Sequence, residues 1–308
     1  MNIEAFVDVL SANATVPSLS DTFPAMEVTT DEILVGAKQL VLKIAEYGSV
    51  VLERRNRDDF GGTYTKADKS PVTGLDLYVS ERAESDLPVI LPGPVLTEEN
   101  IADVLSESSD PAVVRWIVDP IDGTKGLKRS QSLPLERSGW GISAGYVVGD
   151  VPVVGALGIP RMGRVFVGII GHGSYEYDMN TQEFNPEPLL SVPEPSRGRL
   201  AAVPSSYRGT QWKRTLELFR LNGFEESDLR HVSSVVKLAQ LVQGKYDAAG
   251  GVRGISTWDL AGGIPFVRAA GGEVYDVDTG RPILLTPGKE KQELSGYIAV
   301  RQGQGFVF

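Results

Sequence analysis

The chain has 308 residues, 42% apolar and 23% charged, with 40 acidic against 30 basic side chains and a formal net charge of −10. That length can bury one large or two moderate domains, and the acidic balance argues against a partner that is a nucleic acid polymer, which needs a broad basic face. There is no cysteine, and His172 and His231 are the only histidines, so disulfides, thiolate nucleophiles and histidine-rich metal sites are excluded.

Residues 1–25 are punctuated by Ser, Thr and Pro and read as an N-terminal extension. They lack the basic start and long apolar core of a signal peptide, and no apolar run approaches the roughly 20 residues that cross a bilayer, so a cytoplasmic location without a membrane partner is expected. Thr30 or Asp31 can cap a helix whose Ile33, Ala37, Leu40, Val41 and Ile44 share one face. A second helix begins near Thr73. The strand of "VVRWIV" runs into "DPIDGT", "GISAGYVVGDVPVVGALGIP" reads as a hairpin turning at Gly149-Asp150, and "GRVFVGII" adds a strand. The Pro-rich stretch at 185–198 marks a boundary between subdomains 26–190 and 191–308. Beyond it come a strand at Leu200–Val203, a helix ending near Gly223, a helix from about Ser234 to Gly244, another starting at Ser256 or Thr257, and strands near Val274 and Tyr297. Interleaved strands and helices in both halves indicate packed layers of sheet and helix, a mixed α/β or α+β fold.

Acids stand at four element ends: Asp76 in "SPVTGLD", Glu98-Glu99 in "VLTEEN", Asp119 and Asp122 in "DPIDGT", and Asp259 in "STWDLAGG". Each has an ordinary explanation. Asp-Pro and Asp-Gly are turn dipeptides, and Asp76 and Asp259 lie three residues after Thr73 and Ser256, where an acid favours a helix start. Taken together they suit a hard cation such as Mg2+, which wants carboxylate, carbonyl and water oxygens. Asp119 and Asp122 can flank a tight turn with the Ile121 carbonyl between them, while Gly123 and Thr124 offer backbone N–H groups to a phosphate oxygen. Arg253, just before the Trp-Asp turn, is a candidate for a substrate anion. Lys125, Lys128 and Arg129 form a basic run of the kind that is usually solvated.

In order and rough spacing, "KADKSPVTGLD", "TEEN", "DPIDGTKG" and "WDLAGGIPFVRAAGG", across residues 66–272, resemble the inositol monophosphatase superfamily of lithium-sensitive, magnesium-dependent phosphatases. "DGTKGLKRSQ" is most similar to its 3'(2'),5'-bisphosphate nucleotidases. The resemblance implies alternating α-β-α-β-α layers and two or three Mg2+ ions (Mn2+ possible) held by Glu98, Asp119, Asp122, Asp259 and the Ile121 carbonyl. It implies that Thr124 and Asp76, assisted by Glu98, orient and deprotonate a water. Ser234 and Lys237 match positions that contact the nucleotide's remaining phosphate or ribose. The substrate partner is then a small phosphomonoester, such as 3'-phosphoadenosine 5'-phosphate, handled by a monomer or homodimer. An inositol or sugar monophosphate is the alternative substrate, and a non-catalytic metal- or phosphate-binding protein the alternative class. Four departures stand out. Thr97 replaces a glycine before the Glu-Glu pair, residues 132–140 lengthen the link after the metal motif, Pro265 is expected to kink the helix from Asp259, and no counterpart of the family's substrate-facing histidine is evident.

Overall fold

The computed structural model describes residues 5–6, 28–65, 71–101, 114–129, 132–190, 198–204, 209–233, 235–288 and 293–308. Helix α1 (Thr30–Asn56) buries Ile33, Ala37, Leu40, Val41 and Ile44, as their spacing predicts. Its cap is Thr29 rather than Thr30 or Asp31, because Glu32 completes a reciprocal pair there: the Thr29 hydroxyl accepts the Glu32 N–H and the Glu32 carboxylate accepts the Thr29 N–H. Strands β1 (Thr63–Thr65) and β2 (Pro71–Thr73) form a small antiparallel pair that leads into α2 (Gly74–Ile90).

A seven-stranded sheet follows, in chain order: β3 (Val95–Thr97), β4 (Val114–Asp122), β5 (Gly141–Val148), β6 (Val151–Ile159), β7 (Arg164–Ile169), β8 (Gly173–Asp178) and β9 (Glu183–Phe184). Only β3 and β4 run parallel; the other neighbours are antiparallel, and β5 and β6 turn through Gly149-Asp150 as the dipeptide suggests. Two single helical turns, α3 (Thr124–Leu127) and α4 (Leu135–Ser138), interrupt the link from β4 to β5.

Beyond residue 198 the chain forms β10 (Ala201–Pro204), α5 (Gly209–Leu221), β11 (Leu229–Val232), α6 (Val236–Val242), β12 (Ala248–Gly251), β13 (Ile255–Ser256), α7 (Trp258–Ala261), α8 (Gly263–Ala269), β14 (Glu273–Asp276), β15 (Glu293–Leu294) and β16 (Tyr297–Val300). Five of these strands make a second sheet in the order β11-β10-β12-β16-β14. Helices α1 and α2 cover one face of the seven-stranded sheet, α7 and α8 the other. The core around α6, α7 and α8 joins Ile117, Val147 and Phe166 of the first sheet to Ala202, Ala249 and Ala299 of the second. On the far side of the second sheet Phe219 of α5 packs against Ala201, Val203 and Ile298. The layers therefore alternate α-β-α-β-α.

Pro265 does not kink a continuous helix. The helix breaks at Gly262, and Pro265 stands third in α8, inside the first turn, where its missing N–H has no intrahelical partner to lose.

Candidate metal centre

Strand β4 does not stop at a tight turn before Asp119 but continues to Asp122. In an unbroken strand, residues three apart face opposite sides. Here Asp119 pairs with Ser143 and Asp122 with Gly141, so β4 carries one residue more than β5 over this interval. That bulge falls between Asp119 and Asp122, an interval in which Pro120 has no N–H to give the ladder. It re-aims the second carboxylate, and one oxygen each from Asp119, Asp122 and Asp259 lie within 4.8 Å of one another.

Asp259 comes from α7, which must lie almost directly on the sheet to reach this point. Gly145, Gly155 and Gly168 face one another across β5, β6 and β7. A Cβ on Gly145 would come within 2.2 Å of the Ala261 carbonyl oxygen, one on Gly155 within 2.3 Å of the Gly262 oxygen, and one on Gly168 within 2.2 Å of the Phe266 Cα. The row is a trough into which α7 and α8 sink. Ser143 fastens the junction by accepting the Gly262 N–H at 3.2 Å. Sequence reasoning missed these residues; the signal was a glycine in each of three successive strand segments. Asp259 itself also does what the helix-start explanation requires, accepting the Ser256 N–H through Oδ2 at 2.8 Å.

Crowding has an electrostatic consequence. Burial, reinforced by the charges of Glu98, Asp122 and Asp259, holds the Asp119 carboxyl well above the usual carboxylate range. Burial and the Asp122 charge push Asp259 up to about 7, against the opposing Ser256 hydrogen bond. Among the described residues the Asp119 Oδ1 is buried without a hydrogen-bond partner, a costly state for a carboxylate oxygen. An all-oxygen set that repels itself and leaves a buried oxygen unsatisfied fits a hard divalent cation. The residues line a cavity of about 250 Å³. Glu98 lines it too, but stands outside the close triad. Ile121 lines the same cavity, and its carbonyl lies 3.2 Å from the Thr124 hydroxyl, competing with Asp76 for that one proton.

Asp76 divides its two oxygens between cap and site. Oδ2 accepts the Thr73 N–H at 2.7 Å and the Thr73 hydroxyl at 2.6 Å, while Oδ1 accepts the Thr124 hydroxyl at 3.1 Å. Gly123 turns the chain at φ 89°, in the left-handed region that suits glycine, and its carbonyl caps α3 by accepting the Gly126 and Leu127 amides. Thr97 fixes the Glu98-Glu99 loop: its hydroxyl accepts the Asn100 N–H at 3.1 Å and bonds Ser80 at 2.6 Å, and its N–H donates to the Asn100 side chain at 2.7 Å.

The opposite wall belongs to the second sheet. A smaller pocket of about 80 Å³ adjoins the cavity, with Asp122 and Asp259 at one side and Lys237, Arg253 and Tyr297 at the other. Lys237 is buried on α6, and that burial lowers its pKa while the Asp122 and Asp259 charges oppose the shift. Helix α6 is shorter than Ser234–Gly244, and Ser234 lies outside the described residues.

The chain is a five-layer α-β-α-β-α sandwich with an acidic centre where β4 meets α7. Residues 30–300 match the model of the inositol monophosphatase family, and the chain belongs to that family of phosphatases. It is 26% identical over 302 residues to an inositol-1-monophosphatase of Synechocystis sp., covering 94% of this chain and 93% of that protein. It is 31% identical over 114 residues to the 3'(2'),5'-bisphosphate nucleotidase CysQ of Aggregatibacter actinomycetemcomitans, covering 36% and 39%. Among solved structures, CysQ from Bacteroides thetaiotaomicron superposes with a TM-score of 0.63 at 24% identity over 87% of this chain and 96% of that one, a likeness of fold. Among the described residues no helix is long and apolar enough to cross a membrane.

Proposed function

We propose that the protein is a Mg2+-dependent phosphomonoester hydrolase that removes the 3'(2')-phosphate from 3'-phosphoadenosine 5'-phosphate or a related nucleoside bisphosphate. The observation that carries this reading is the shared wall: Asp122 and Asp259 border both the acidic cavity and the pocket that holds Lys237 and Arg253. A substrate whose scissile phosphate lies over the carboxylates would therefore extend its other end toward two bases.

Asp119, Asp122, Asp259, Glu98 and the Ile121 carbonyl would hold two or three Mg2+ ions, with Mn2+ as a substitute. When bound, the metal supplies charge neutralisation for the clustered carboxylates, activation of a water and stabilisation of the leaving oxygen. The chain's own residues do the rest. Thr124 donates its proton to Asp76 Oδ1, which leaves its oxygen lone pairs available to accept from a water. A proton taken from that water by Thr124 can be balanced by one passed to Asp76, whose other oxygen is pinned by Thr73. Gly123 and Thr124 present first-turn amides to phosphate oxygens. Ser234 and Lys237 contact the nucleotide's remaining phosphate or ribose, with Arg253 as a further base for that phosphate.

The reading includes a cytoplasmic monomer or homodimer with an N-terminal extension at 1–25 and subdomains at 26–190 and 191–308. A second reading, an inositol or sugar monophosphatase with the same metal set, is favoured by the nearly full-length match to an inositol-1-monophosphatase. Phosphate release from 3'-phosphoadenosine 5'-phosphate, inositol 1-phosphate and a sugar phosphate, each with Mg2+ and with excess chelator, separates the two. Release from the bisphosphate should dominate and vanish with chelator. Faster release from inositol 1-phosphate would transfer the assignment to the second reading, and full turnover in chelator would remove both.

A further inference from the structure

Helix α2 serves the acidic centre at two points. Asp76, in its first turn, accepts the Thr124 hydroxyl beyond the end of β4. Ser80 lies four residues further on, so the two side chains share one face of the helix a turn apart. The helix packs against β3 and β4, and Ser80 meets Thr97, the last residue of β3, with 2.6 Å between the hydroxyl oxygens. Both residues are buried, Ser80 at 3% and Thr97 at 0% exposure. The chemistry described above makes no use of Ser80.

Counting protons fixes the direction of this contact. A hydroxyl has one proton to give and two lone pairs with which to accept, whereas a carboxylate only accepts. Ser80 donates to the Glu84 carboxylate at 3.1 Å, which uses its one proton. The proton between Ser80 and Thr97 is therefore supplied by Thr97. With that proton committed to Ser80, both lone pairs of the Thr97 hydroxyl face the turn that follows β3. They accept the Glu99 N–H at 3.3 Å and the Asn100 N–H at 3.1 Å. A directed chain thus runs from the amides of the turn through Thr97 and Ser80 to Glu84.

What the turn carries is Glu98. Its N–H donates to the Val118 carbonyl at 3.1 Å, which sets it beside Asp119, and its charge is among those that raise the Asp119 carboxyl. Two like charges repel, so the turn needs a hold that does not come from the carboxylates themselves. The Asn100 side chain, which accepts the Thr97 N–H at 2.7 Å and donates to the Val95 carbonyl at 3.1 Å, closes the turn on its own strand. The Thr97–Ser80 bond instead ties it to a different element, 17 positions away in the chain. We propose that Ser80 is a positioning residue for Glu98: through the Thr97 hydroxyl it holds the Glu98 turn at the acidic centre, from the same helix that presents Asp76 to Thr124. The inference rests on the reading of Glu98 as a cation-holding group, and it gives Ser80 no contact with substrate or cation.

The test reads Mg2+ binding without turnover, by isothermal titration calorimetry of the whole chain in the absence of substrate. Ser80→Ala should raise the Mg2+ dissociation constant about 3- to 10-fold, the effect of one buried hydrogen bond. Its kcat at saturating Mg2+ should stay within about twofold of the unmutated value. Thr97→Val removes the hydroxyl at nearly the same volume and should weaken Mg2+ at least as much, and Thr97→Ser should restore binding. The effects of Ser80→Ala and Thr97→Val should not add when combined, because either one breaks the same bond. An unchanged Mg2+ constant in Ser80→Ala overturns the proposal, including the case in which the variant only melts lower in chelator. Additive effects in the combined variant overturn it too. Glu98→Gln separates the inference from the reading beneath it. Weaker Mg2+ binding in Glu98→Gln beside unchanged binding in Ser80→Ala removes Ser80 alone. Unchanged binding in both removes Glu98 from the cation set and Ser80 with it, and an unmutated protein that binds no Mg2+ removes the metal reading altogether. Alanine is favourable inside a helix, so Ser80→Ala should fold.

Discussion

On the β4 side of the cavity three carboxylates crowd within 4.8 Å of one another, whereas on the α6 side Lys237 and Arg253 stand among Leu238, Ile255 and Tyr297. The first wall is built by backbone: a bulge between Asp119 and Asp122 aims the two carboxylates, and a glycine trough lowers Asp259 onto them. The second wall is built by side chains on α6 and the Arg253 loop. In the proposed reading, the chemistry sits where a shift of one residue in register would destroy it, and substrate recognition where single side chains can be exchanged. Substitutions on the two walls should therefore differ in kind as well as in size.

The largest effect is expected at Asp122. Asp122→Asn keeps the shape of the bulge but removes a charge from the proposed cation site, and turnover of every phosphomonoester should fall by about 10³-fold or more. Its melting temperature without metal should be no lower than that of the unmutated protein. Loss of activity together with loss of the fold would mean that Asp122 is structural.

On the other wall the loss should be smaller and selective. A hydrogen bond from a charged donor contributes roughly 1.5–3 kcal/mol, so Lys237→Ala should weaken kcat/KM on 3'-phosphoadenosine 5'-phosphate by about 10- to 100-fold more than on a simple monophosphate. Equal losses on both would mean that Lys237 shapes the cavity generally, through the Asp122 and Asp259 charges beside it.

The trough can be tested without touching a charge. Gly155→Ala puts a methyl 2.3 Å from the Gly262 carbonyl oxygen, a backbone atom that has to move and take α7 and α8 with it. Overpacking of this kind costs about 1–3 kcal/mol of stability. Because Asp259 rides on α7, the Mg2+ concentration for half-maximal activity should rise several-fold. Gly198→Ala, which meets nothing within 4 Å, is the control. An unchanged Mg2+ requirement in a destabilised Gly155→Ala would confine the trough to packing.

These contrasts mark what the sequence made legible. Acids at element ends could be picked out by residue type alone, and the structure brings Asp119, Asp122 and Asp259 together; the buried stripe of α1 could be read because helix period is local. Capping and catalysis were weighed as alternatives at Asp76, yet its two oxygens serve Thr73 and Thr124 at once, a division visible only with both partners in place. The bulge was read as a turn because register exists only once β5 pairs with β4. Gly145, Gly155 and Gly168 lie 10 and 13 residues apart and become neighbours only through strand pairing. Pro265 misled for a similar reason: its effect depends on where α8 begins, which Gly262 decides.

The smallest expected change is one of stability, and it carries the opposite sign. Asp259 titrates near 7 in the folded protein because burial and the Asp122 charge disfavour its anion, whereas unfolded it ionises near its ordinary value of 3.8. Protons therefore bind the folded state more tightly, and the metal-free protein should lose stability from this group as pH rises from about 4 to about 7. Asp259→Asn removes that loss while its side-chain oxygen can still accept the Ser256 N–H. The variant should melt with the unmutated protein near pH 4 and above it at pH 8 in chelator, by roughly 2–4 °C for each kcal/mol relieved. Excess Mg2+ should close or reverse the gap, since the cation stabilises the unmutated site more. Activity should be lost at every pH. A variant that melts below the unmutated protein at pH 8 in chelator, or turns over normally at low Mg2+, would leave Asp259 as a helix cap and remove it from the cation site.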